Sequence, residues 1–310
     1  MSSFATTSPD TDRRAFSIAI ALLIGHLMAL GFGLAGLLIA IPNPELWADS
    51  AGAVRVYDFG MTYAGSLHIV LGAAAMFAYG IAAIGLRMTA IFFVVTVPIS
   101  LTSELLGTST GEPFGNYAYT SFLGYKVLGH VPFSIPLSWF YVGFATYLLG
   151  HALASALGAR PLAAYAVVGG AWLLTVWDLV LDPAMAHESL GVKFWEWDQT
   201  GPYFGMPLQN FAGWTLTAVV FMAVARLLWR GDPSPDRGRP RIWFPLVVYA
   251  ANIGFASALS ASVGLELPIL LAVVFGLLPA SLALFRFGPR GEASPRPFAD
   301  GTRAELRGPS

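Results

Sequence analysis

Long apolar runs without charge constrain this chain more than any other feature of its sequence. The first run, residues 16–41, has about 26 uncharged residues, and a helix needs about 20 to cross the hydrocarbon core of a bilayer. The runs lie at residues 16–41, 61–86, 88–104, 133–158, 161–182, 211–229, 242–265 and 268–287. They predict an all-α, polytopic integral membrane protein with about eight transmembrane helices, the third of which is short and interrupted by Pro98.

The composition agrees with a membrane protein and narrows its chemistry. Of 310 residues, 56% are hydrophobic and 11% are charged, whereas soluble domains carry about 25% charged residues. The net charge is −1, so the chain offers no basic patch to nucleic acid. Cysteine is absent, which excludes disulfides, thiolate nucleophiles and cysteine-ligated metals. Any chemistry must therefore come from carboxylates, histidine, tyrosine, asparagine or a bound cofactor.

The distribution of lysine and arginine predicts how the chain lies in the cell membrane. If the N-terminus is cytoplasmic, eight crossings place 14 of the 17 basic residues on the cytoplasmic side, where such residues concentrate. Arg55, Lys126 and Lys193 are the three on the other side. Both termini are therefore predicted to be cytoplasmic. The predicted organisation is a cytoplasmic N-terminal segment 1–15, a helix bundle 16–287 that carries the site, and a disordered cytoplasmic tail 288–310.

Two long connections, residues 104–132 and 183–210, are rich in aromatic residues, glycine and proline, and we call them the first and second aromatic segments. Each is associated with an acidic residue, a Gly-x-x-Phe-Gly motif and a tryptophan in the next span: Glu104, 111–115 and Trp139 for the first, and Asp182, 201–205 and Trp214 for the second. Repeats that bracket a shared site are common in membrane proteins. We therefore expect both segments to contribute to one site.

Asp178 and Asp182 are the strongest local signal of chemistry. They are four residues apart, so both side chains lie on one face of the predicted fifth span. An intramembrane carboxylate costs about 2.5–3.5 kcal/mol on insertion scales, so its presence points to a function. Burial beside a second carboxylate would leave one of the two acids protonated at neutral pH. The alternative for Asp182 is that it ends a helix before Pro183 at the headgroup level.

Aromatic residues are dense beside these carboxylates. Tryptophan and tyrosine are expected at a membrane interface in any case. The functional alternative is that their ring faces line a groove for a long apolar substrate and stabilise a developing carbocation. Glu104 is a third candidate acid on the same side of the membrane. His26, His68, His151 and Asn252 fall inside spans, where lone polar residues usually form interhelical hydrogen bonds.

Several sharper hypotheses fail on the sequence. The G-x-G-x-x-G match at residues 31–36 lies in a membrane span with no preceding strand, so we interpret it as a helix-packing face and not a dinucleotide site. Five dispersed histidines cannot form a His-rich di-iron centre. Asp178 and Asp182 could also hold Mg²⁺ in a membrane prenyltransferase, but a diphosphate would need nearby lysine or arginine. A proton-coupled transporter or a non-catalytic lipid-binding protein remains an alternative.

Three strings of residues resemble a known family. They are T-x-x-D-L-x-L-D-P at residues 175–183, G-P-Y-F-G-M-P-L-Q-N-F-A-G-W at 201–214, and E-L-L-G with P-F-G-N-Y-A-Y within 104–119. They resemble the carotenoid biosynthesis proteins that include the CruF-type carotenoid hydratases, and the likeness covers roughly residues 60–285. The resemblance implies addition of water across the terminal double bond of an acyclic carotenoid such as γ-carotene, lycopene or a longer carotenoid of the bacterioruberin route.

This reaction is acid catalysis that needs no metal, nucleotide or thiol, so we expect no cofactor and a carotenoid and water as ligands. Other enzymes of the carotenoid pathway are the expected protein partners. We interpret Asp178 as the general acid, with Asp182 or Glu104 orienting the water and accepting its proton. The expected substrate-binding residues are Trp177, Trp195, Trp197, Tyr203, Trp214 and Tyr117 around the groove, with Asn116 and Asn210 holding the water. An isomerase or cyclase using the same acid is a further alternative.

Overall fold

The chain folds into a bundle of long helices, which we describe from a computed structural model of residues 9–229 and 242–287. The helices are α1 (Pro9–Ala35), α2 (Ala51–Phe59), α3 (Gly65–Ile84), α4 (Leu86–Thr110), α5 (Ser134–Ala156), α6 (Leu162–Met185), α7 (Leu208–Leu228), α8 (Trp243–Ser262), α9 (Glu266–Ala272) and α10 (Leu278–Phe287). Three π-helical turns, Gly36–Ala40, Gly60–Ala64 and Val273–Leu277, continue α1, join α2 to α3, and join α9 to α10.

The membrane spans match the prediction in class and closely in number. Within the described residues, seven helical segments are long and apolar enough to cross a bilayer: α1 with its π turn, α2 with α3, α4, α6, α7, α8, and α9 with α10. The predicted span at residues 133–158 corresponds to α5, which has 23 residues and is rich in aromatic side chains. Helix α5 contacts α3, α4, α6, α8 and α10, and nearly all its side chains are buried. The all-α polytopic architecture is confirmed.

Close backbone contact joins the two central helices. Gly150 of α5 faces Gly170 of α6, and a Cβ atom placed on Gly150 would lie 2.6 Å from the backbone nitrogen of Gly170. Small residues at such crossings let membrane helices approach and gain van der Waals contact. A larger side chain at either position would push α6 away from α5. These two helices thus hold the carboxylates of α6 at a fixed distance from the aromatic side chains of α5.

The prediction of a short third span was wrong. Helix α4 runs without a break from Leu86 to Thr110, with Pro98 inside it. Proline is tolerated in membrane helices because neighbouring groups compensate for its missing hydrogen bond. The helix ends where Gly111 adopts a left-handed conformation (φ +82°) and its N–H donates to Gly107 O at 2.9 Å. As a result, Glu104 lies inside the helix and not at its end.

The two aromatic segments meet in a small antiparallel sheet. Strand β1 (Tyr117–Tyr119) of the first segment pairs with β4 (Trp195–Trp197) of the second, so that Tyr117 lies opposite Trp197 and Tyr119 opposite Trp195. Because side chains alternate along a strand, these four aromatic residues share one face. Strands β2 (Lys126–Val127) and β3 (Val131–Pro132) form a hairpin. The strand follows the Gly-x-x-Phe-Gly motif in the first segment and precedes it in the second, so the order of parts differs.

Two further predictions concern the N-terminal half and the chain ends. The interpretation of residues 31–36 as a packing face was wrong, because a Cβ atom on Gly31, Gly33 or Gly36 would meet no atom within 4 Å. Helix α1 begins at Pro9, so part of the predicted N-terminal segment 1–15 is helical. The predicted tail 288–310 lies outside the described residues.

Candidate active site

Three carboxylates are buried at one end of the bundle. Glu104 on α4 and Asp178 and Asp182 on α6 are 2%, 1% and 4% exposed. Among the charged side chains of residues 12–229 and 242–284, these three alone are buried. A buried carboxylate is costly unless hydrogen bonds compensate for lost hydration. We therefore expect neighbouring side chains to donate hydrogen bonds to these carboxylates.

Glu104 receives three hydrogen bonds from aromatic side chains. Its Oε2 atom accepts from the hydroxyl of Tyr117 and, at 2.9 Å, from that of Tyr119, while Oε1 accepts from Trp139 Nε1 at 2.8 Å. The alternation of β1 brings both tyrosines to the same carboxylate. Burial, and then the neighbouring Glu104 carboxylate, raise the pKa of both tyrosine hydroxyls well above their usual range. Both hydroxyls therefore stay protonated and act as donors.

Asp178 and Asp182 are bridged by a single amide. Asn210, in the first turn of α7, donates through Nδ2 to Asp178 Oδ2 at 2.9 Å and to Asp182 Oδ2 at 2.6 Å. The Oδ1 atom of Asp178 is buried without a hydrogen-bond partner among the described residues. Both N–H groups of Asn210 are occupied by carboxylates. Asn210 was predicted to hold the water, but its two N–H groups are not available to donate to one. The amide bridges the two acids instead.

A small cavity of about 70 Å³ lies between these two groups, and we call it the acid chamber. Glu104 and Asp182 both line it. Six more of the site residues that the sequence predicted also line the chamber: Tyr117, Trp177, Trp195, Trp197, Asn210 and Trp214. Since a cavity volume of this kind holds a water from about 10–15 Å³ upward, the chamber has room for a few waters or for the end of a branched hydrocarbon. Eight of the eleven predicted site residues thus line one cavity.

The other three predicted residues lie outside the acid chamber lining. Asp178 is set behind Asp182 and Asn210. Tyr203 donates its hydroxyl to Leu179 O at 3.0 Å and packs against Phe211, so it does not form a wall of the chamber. Asn116 donates to Gln199 Oε1 at 3.2 Å on the exposed side of the sheet, where it cannot hold a water inside the chamber.

Several lining residues were not predicted. Trp139 stacks on Trp214 with ring centroids 3.9 Å apart, and Trp214 meets Trp177 edge to face at 5.8 Å. The echo between the aromatic segments had singled out Trp139, but only as the start of a span. Tyr119 could have been found from the alternation of a strand, since it lies two residues after Tyr117.

A polar network between helices forms the opposite wall. Tyr141 donates to Asn252 Oδ1 at 2.7 Å, and Asn252 Nδ2 lies 3.4 Å from His26 Nε2. The Nδ1 atom of His26 is 2.7 Å from His68 O. Interhelical hydrogen bonding by His26 and Asn252 is therefore confirmed. Tyr141, Asn252 and His68 also line the acid chamber, which sequence reasoning missed because lone polar residues in spans give no directional signal.

A second, larger cavity of about 460 Å³ adjoins the acid chamber, and we call it the apolar channel. Its walls come from the second half of α1, the π turns Gly36–Ala40 and Gly60–Ala64, helix α2 and the start of α3. Phe122, Val192 and Phe194 of the aromatic segments complete it. It is lined almost entirely by apolar side chains and glycine.

Comparison with known proteins identifies a family and a relative for this chain. Residues 64–279, about 70% of the chain, match the family described as carotenoid biosynthesis protein. The chain belongs to this family. Over 121 residues it is 36% identical to the bisanhydrobacterioruberin hydratase of Haloarcula japonica, and the aligned part covers 38% of each of the two chains. No solved structure matches.

The part of the chain that matches the carotenoid biosynthesis family contains the whole acid chamber. All the residues that line the chamber, from His68 to Phe255, lie within the matched range. The walls that α1 and α2 give to the apolar channel lie before it. The region shared with the family is thus the region that holds the buried carboxylates.

Proposed function

We propose that this protein is a carotenoid hydratase that adds water to the terminal carbon–carbon double bond of an acyclic carotenoid end group without a cofactor. The observation that carries this proposal is the acid chamber, where two carboxylates with different hydrogen-bond partners face one aromatic-walled space. Family membership and the hydratase relative support the class of reaction. The substrates we propose are γ-carotene, lycopene or a related carotenoid.

The reaction has two bond-forming steps. A carboxylic acid protonates the less substituted carbon of the terminal double bond, which leaves a tertiary carbocation at the other carbon. A water oxygen then bonds to that carbocation, and a carboxylate accepts the proton that the water loses. The product is a tertiary alcohol, and the two carboxyl groups together end with the same number of protons.

We assign the proton donor to Asp182. Two neighbouring carboxyl groups in a dry site cannot readily both ionise, so the pair formed by Asp178 and Asp182 retains a proton. Asp182 lines the acid chamber, whereas Asp178 lies behind it and shares the same Asn210 amide. The role given to Asp178 from the sequence therefore passes to Asp182 in this proposal. Asp178 becomes the second carboxyl group of the pair, linked to Asp182 through the amide of Asn210.

We assign the charged carboxylate to Glu104. Burial opposes a charge on Glu104, but three donors converge on its two oxygens, and hydrogen bonds from donors favour the ionised form of a carboxylate. A negative charge facing the chamber would stabilise the carbocation and then accept the proton from water. Asp182 and Glu104 would thus act as acid and base on opposite sides of the same end group.

The aromatic walls suit a carbocation. The stacked pair Trp139 and Trp214, with Trp177 against its edge, presents π systems to the chamber, and tryptophan is the best aromatic partner for a cation. Trp177 and Trp197 also keep buried indole N–H groups that have no hydrogen-bond partner in the described part of the chain. A water or product hydroxyl would satisfy such a donor, which replaces the role first given to asparagine.

The alternatives fit the site less well. A diphosphate substrate would require cationic side chains, and no lysine or arginine of residues 9–229 and 242–287 lines the acid chamber. Proton-coupled transport would favour polar groups along the whole membrane path, whereas the buried charges within the described residues gather at one end. An isomerase or cyclase using the same acid is distinguished by its product, because only hydration adds the mass of one water.

Expression in a cell that accumulates lycopene or γ-carotene tests this proposal. We expect a new carotenoid heavier by one water, made by the wild type and by Asp198→Asn, an exposed acid of the second aromatic segment. Asp182→Asn should make none while reaching the membrane in equal amount. A wild type that leaves both carotenoids unchanged, or an Asp182→Asn variant as active as wild type, would contradict the proposal.

We also propose that both termini lie in the cytoplasm, which places the acid chamber at the opposite face of the cell membrane. The support is the excess of basic residues on the predicted cytoplasmic side. A fluorescent reporter that folds only in the cytoplasm should be active when fused to either terminus. Reporter activity from a fusion at Leu128, in the β2–β3 hairpin, would contradict this orientation.

A further inference from the structure

The apolar channel and the acid chamber are joined by three residues. His68, Met185 and Phe255 line both cavities, and we call them the neck. The ring of His68 stacks on that of Phe255 with centroids 5.9 Å apart. A ligand that fills both cavities must therefore pass between this ring pair and the side chain of Met185. The two cavities thus adjoin at these three side chains, with a polar lining on one side and an apolar lining on the other.

The apolar channel borders the lipid. Residues of its wall are well exposed, including Phe32 at 39%, Ile39 at 54% and Val56 at 55%, and all three lie in helices long and apolar enough to cross a membrane. In a membrane-spanning bundle such exposed apolar side chains contact acyl chains. Few polar atoms face the channel. The indole N–H of Trp47 donates to Ala40 O at 2.7 Å, and the Trp47 ring stacks on Tyr57. The lining offers little to water and much to a hydrocarbon.

Backbone geometry holds the channel open. Two of the π-helical turns in the described residues, Gly36–Ala40 and Gly60–Ala64, form opposite parts of its wall. π turns are rare and frequently mark functional sites. Gly33 and Gly36 add space because neither carries a side chain and neither faces an atom within 4 Å of an ideal Cβ. The cavity is thus built into the course of α1 and does not result from one missing side chain.

We propose that the apolar channel admits the polyene sideways from the bilayer and holds it while one end group passes the neck into the acid chamber. The identity of this ligand rests on the proposed function. Because one channel leads to one chamber, a substrate with two acyclic ends must leave and bind again before its second end reacts. Singly hydrated carotenoid is therefore released before the doubly hydrated product forms.

Bulky substitutions in α1 test the channel with a matched control. Gly33 lines the channel and Gly31 does not, yet neither has an atom within 4 Å of its ideal Cβ. Gly33→Phe should therefore fill the channel, and Gly31→Phe should extend into lipid. Ala53→Phe and Ala51→Phe form a second pair on α2, of which only Ala53 lines the channel.

The measurements are lycopene binding, followed by quenching of tryptophan fluorescence in purified full-length protein, and the time course of hydrated products. Gly33→Phe and Ala53→Phe should each bind lycopene at least about tenfold more weakly than wild type, with both controls unchanged. Equal binding by all four variants, equal loss within a pair, or no binding by wild type would overturn the channel. Direct appearance of doubly hydrated lycopene would overturn release between the two reactions.

The outcomes separate the two proposals. Wild type that binds lycopene in a Gly33-dependent way but forms no hydrated product would refute the hydratase and leave the channel standing. Hydration that is unaffected by Gly33→Phe and Ala53→Phe would refute the channel and leave the hydratase standing.

Discussion

The acid chamber and the apolar channel are adjoining cavities built by different means. The chamber is about 70 Å³, and side-chain hydrogen bonds to three carboxylates fix its shape. The channel is about 460 Å³, and π turns and glycines of the backbone shape its walls. Every residue of the chamber lies in the family-matched range, whereas much of the channel lies before it. We infer that reaction type and substrate fit can change independently in this protein.

After Asp182→Asn, the largest effect should come from Glu104, the carboxylate that we propose to be charged. Glu104→Gln keeps the shape of the side chain but removes the charge that three donors surround. We expect hydration to fall about 100-fold or more, because a positioned acid or base contributes about 10²–10⁴ in rate. Lycopene binding should stay within about twofold of wild type. A parallel loss of binding would show that the chamber and the channel are not separable.

A smaller loss should follow from Asp178→Asn. This change removes the second carboxyl group behind Asp182 but leaves an amide that can pair with Asn210. We expect roughly a tenfold slower reaction, less than for Asp182→Asn, because the proton donor itself remains. Turnover of the two variants, measured at equal protein amount, checks the order. A reversed order would return the role of proton donor to Asp178.

Loss of the Tyr119 hydroxyl should slow the reaction. Tyr119→Phe removes one of the three donors to Glu104 and leaves the ring in place. A hydrogen bond to a charged group is worth about 1.5–3 kcal/mol, so we expect about a tenfold or greater fall in kcat. Tyr125→Phe, at an exposed tyrosine of the same segment, is the control and should match wild type. An unchanged kcat for Tyr119→Phe would remove this donor from the mechanism.

The smallest effect on turnover should come from the neck. Met185→Leu conserves apolar character and approximate volume but loses the flexibility of the thioether. Since Met185 lines both cavities, we expect a change of a few fold in KM with kcat nearly constant. Steady-state kinetics with lycopene in detergent micelles checks this split. A change confined to kcat would place Met185 in the chemistry and not in the passage.

Sequence reasoning predicted the membrane class because long apolar runs are a local signal. Eight of its eleven predicted site residues line the chamber, since acidic residues beside long apolar runs are rare enough to be conspicuous. It misjudged Pro98, because a proline in a membrane helix is compensated by contacts that only the fold provides. It misjudged Gly31 to Gly36 as well, because glycines that pack and glycines that leave space look alike in sequence.

The sequence could not show which of Asp178 and Asp182 lines the chamber, and the reason is a different one. Helical spacing placed both on one face, which was sufficient to pair them. Their access to the chamber depends on where α7 presents Asn210, 28 residues after Asp182. Tyr203 and Asn116 show the same limit, because their partners, Leu179 O and Gln199, come from other parts of the chain. Which side chains face an enclosed space is a long-range property.

The central position of α5 has a consequence for assembly. This helix is rich in polar and aromatic side chains such as Ser138, Trp139 and Tyr141, which suit a protein environment better than lipid. Helices α3, α4, α6, α8 and α10 surround it in the finished protein. The acid chamber has Trp139 of α5 in its wall and also Asn252 and Phe255 of α8, so it becomes complete only once α8 has joined the bundle.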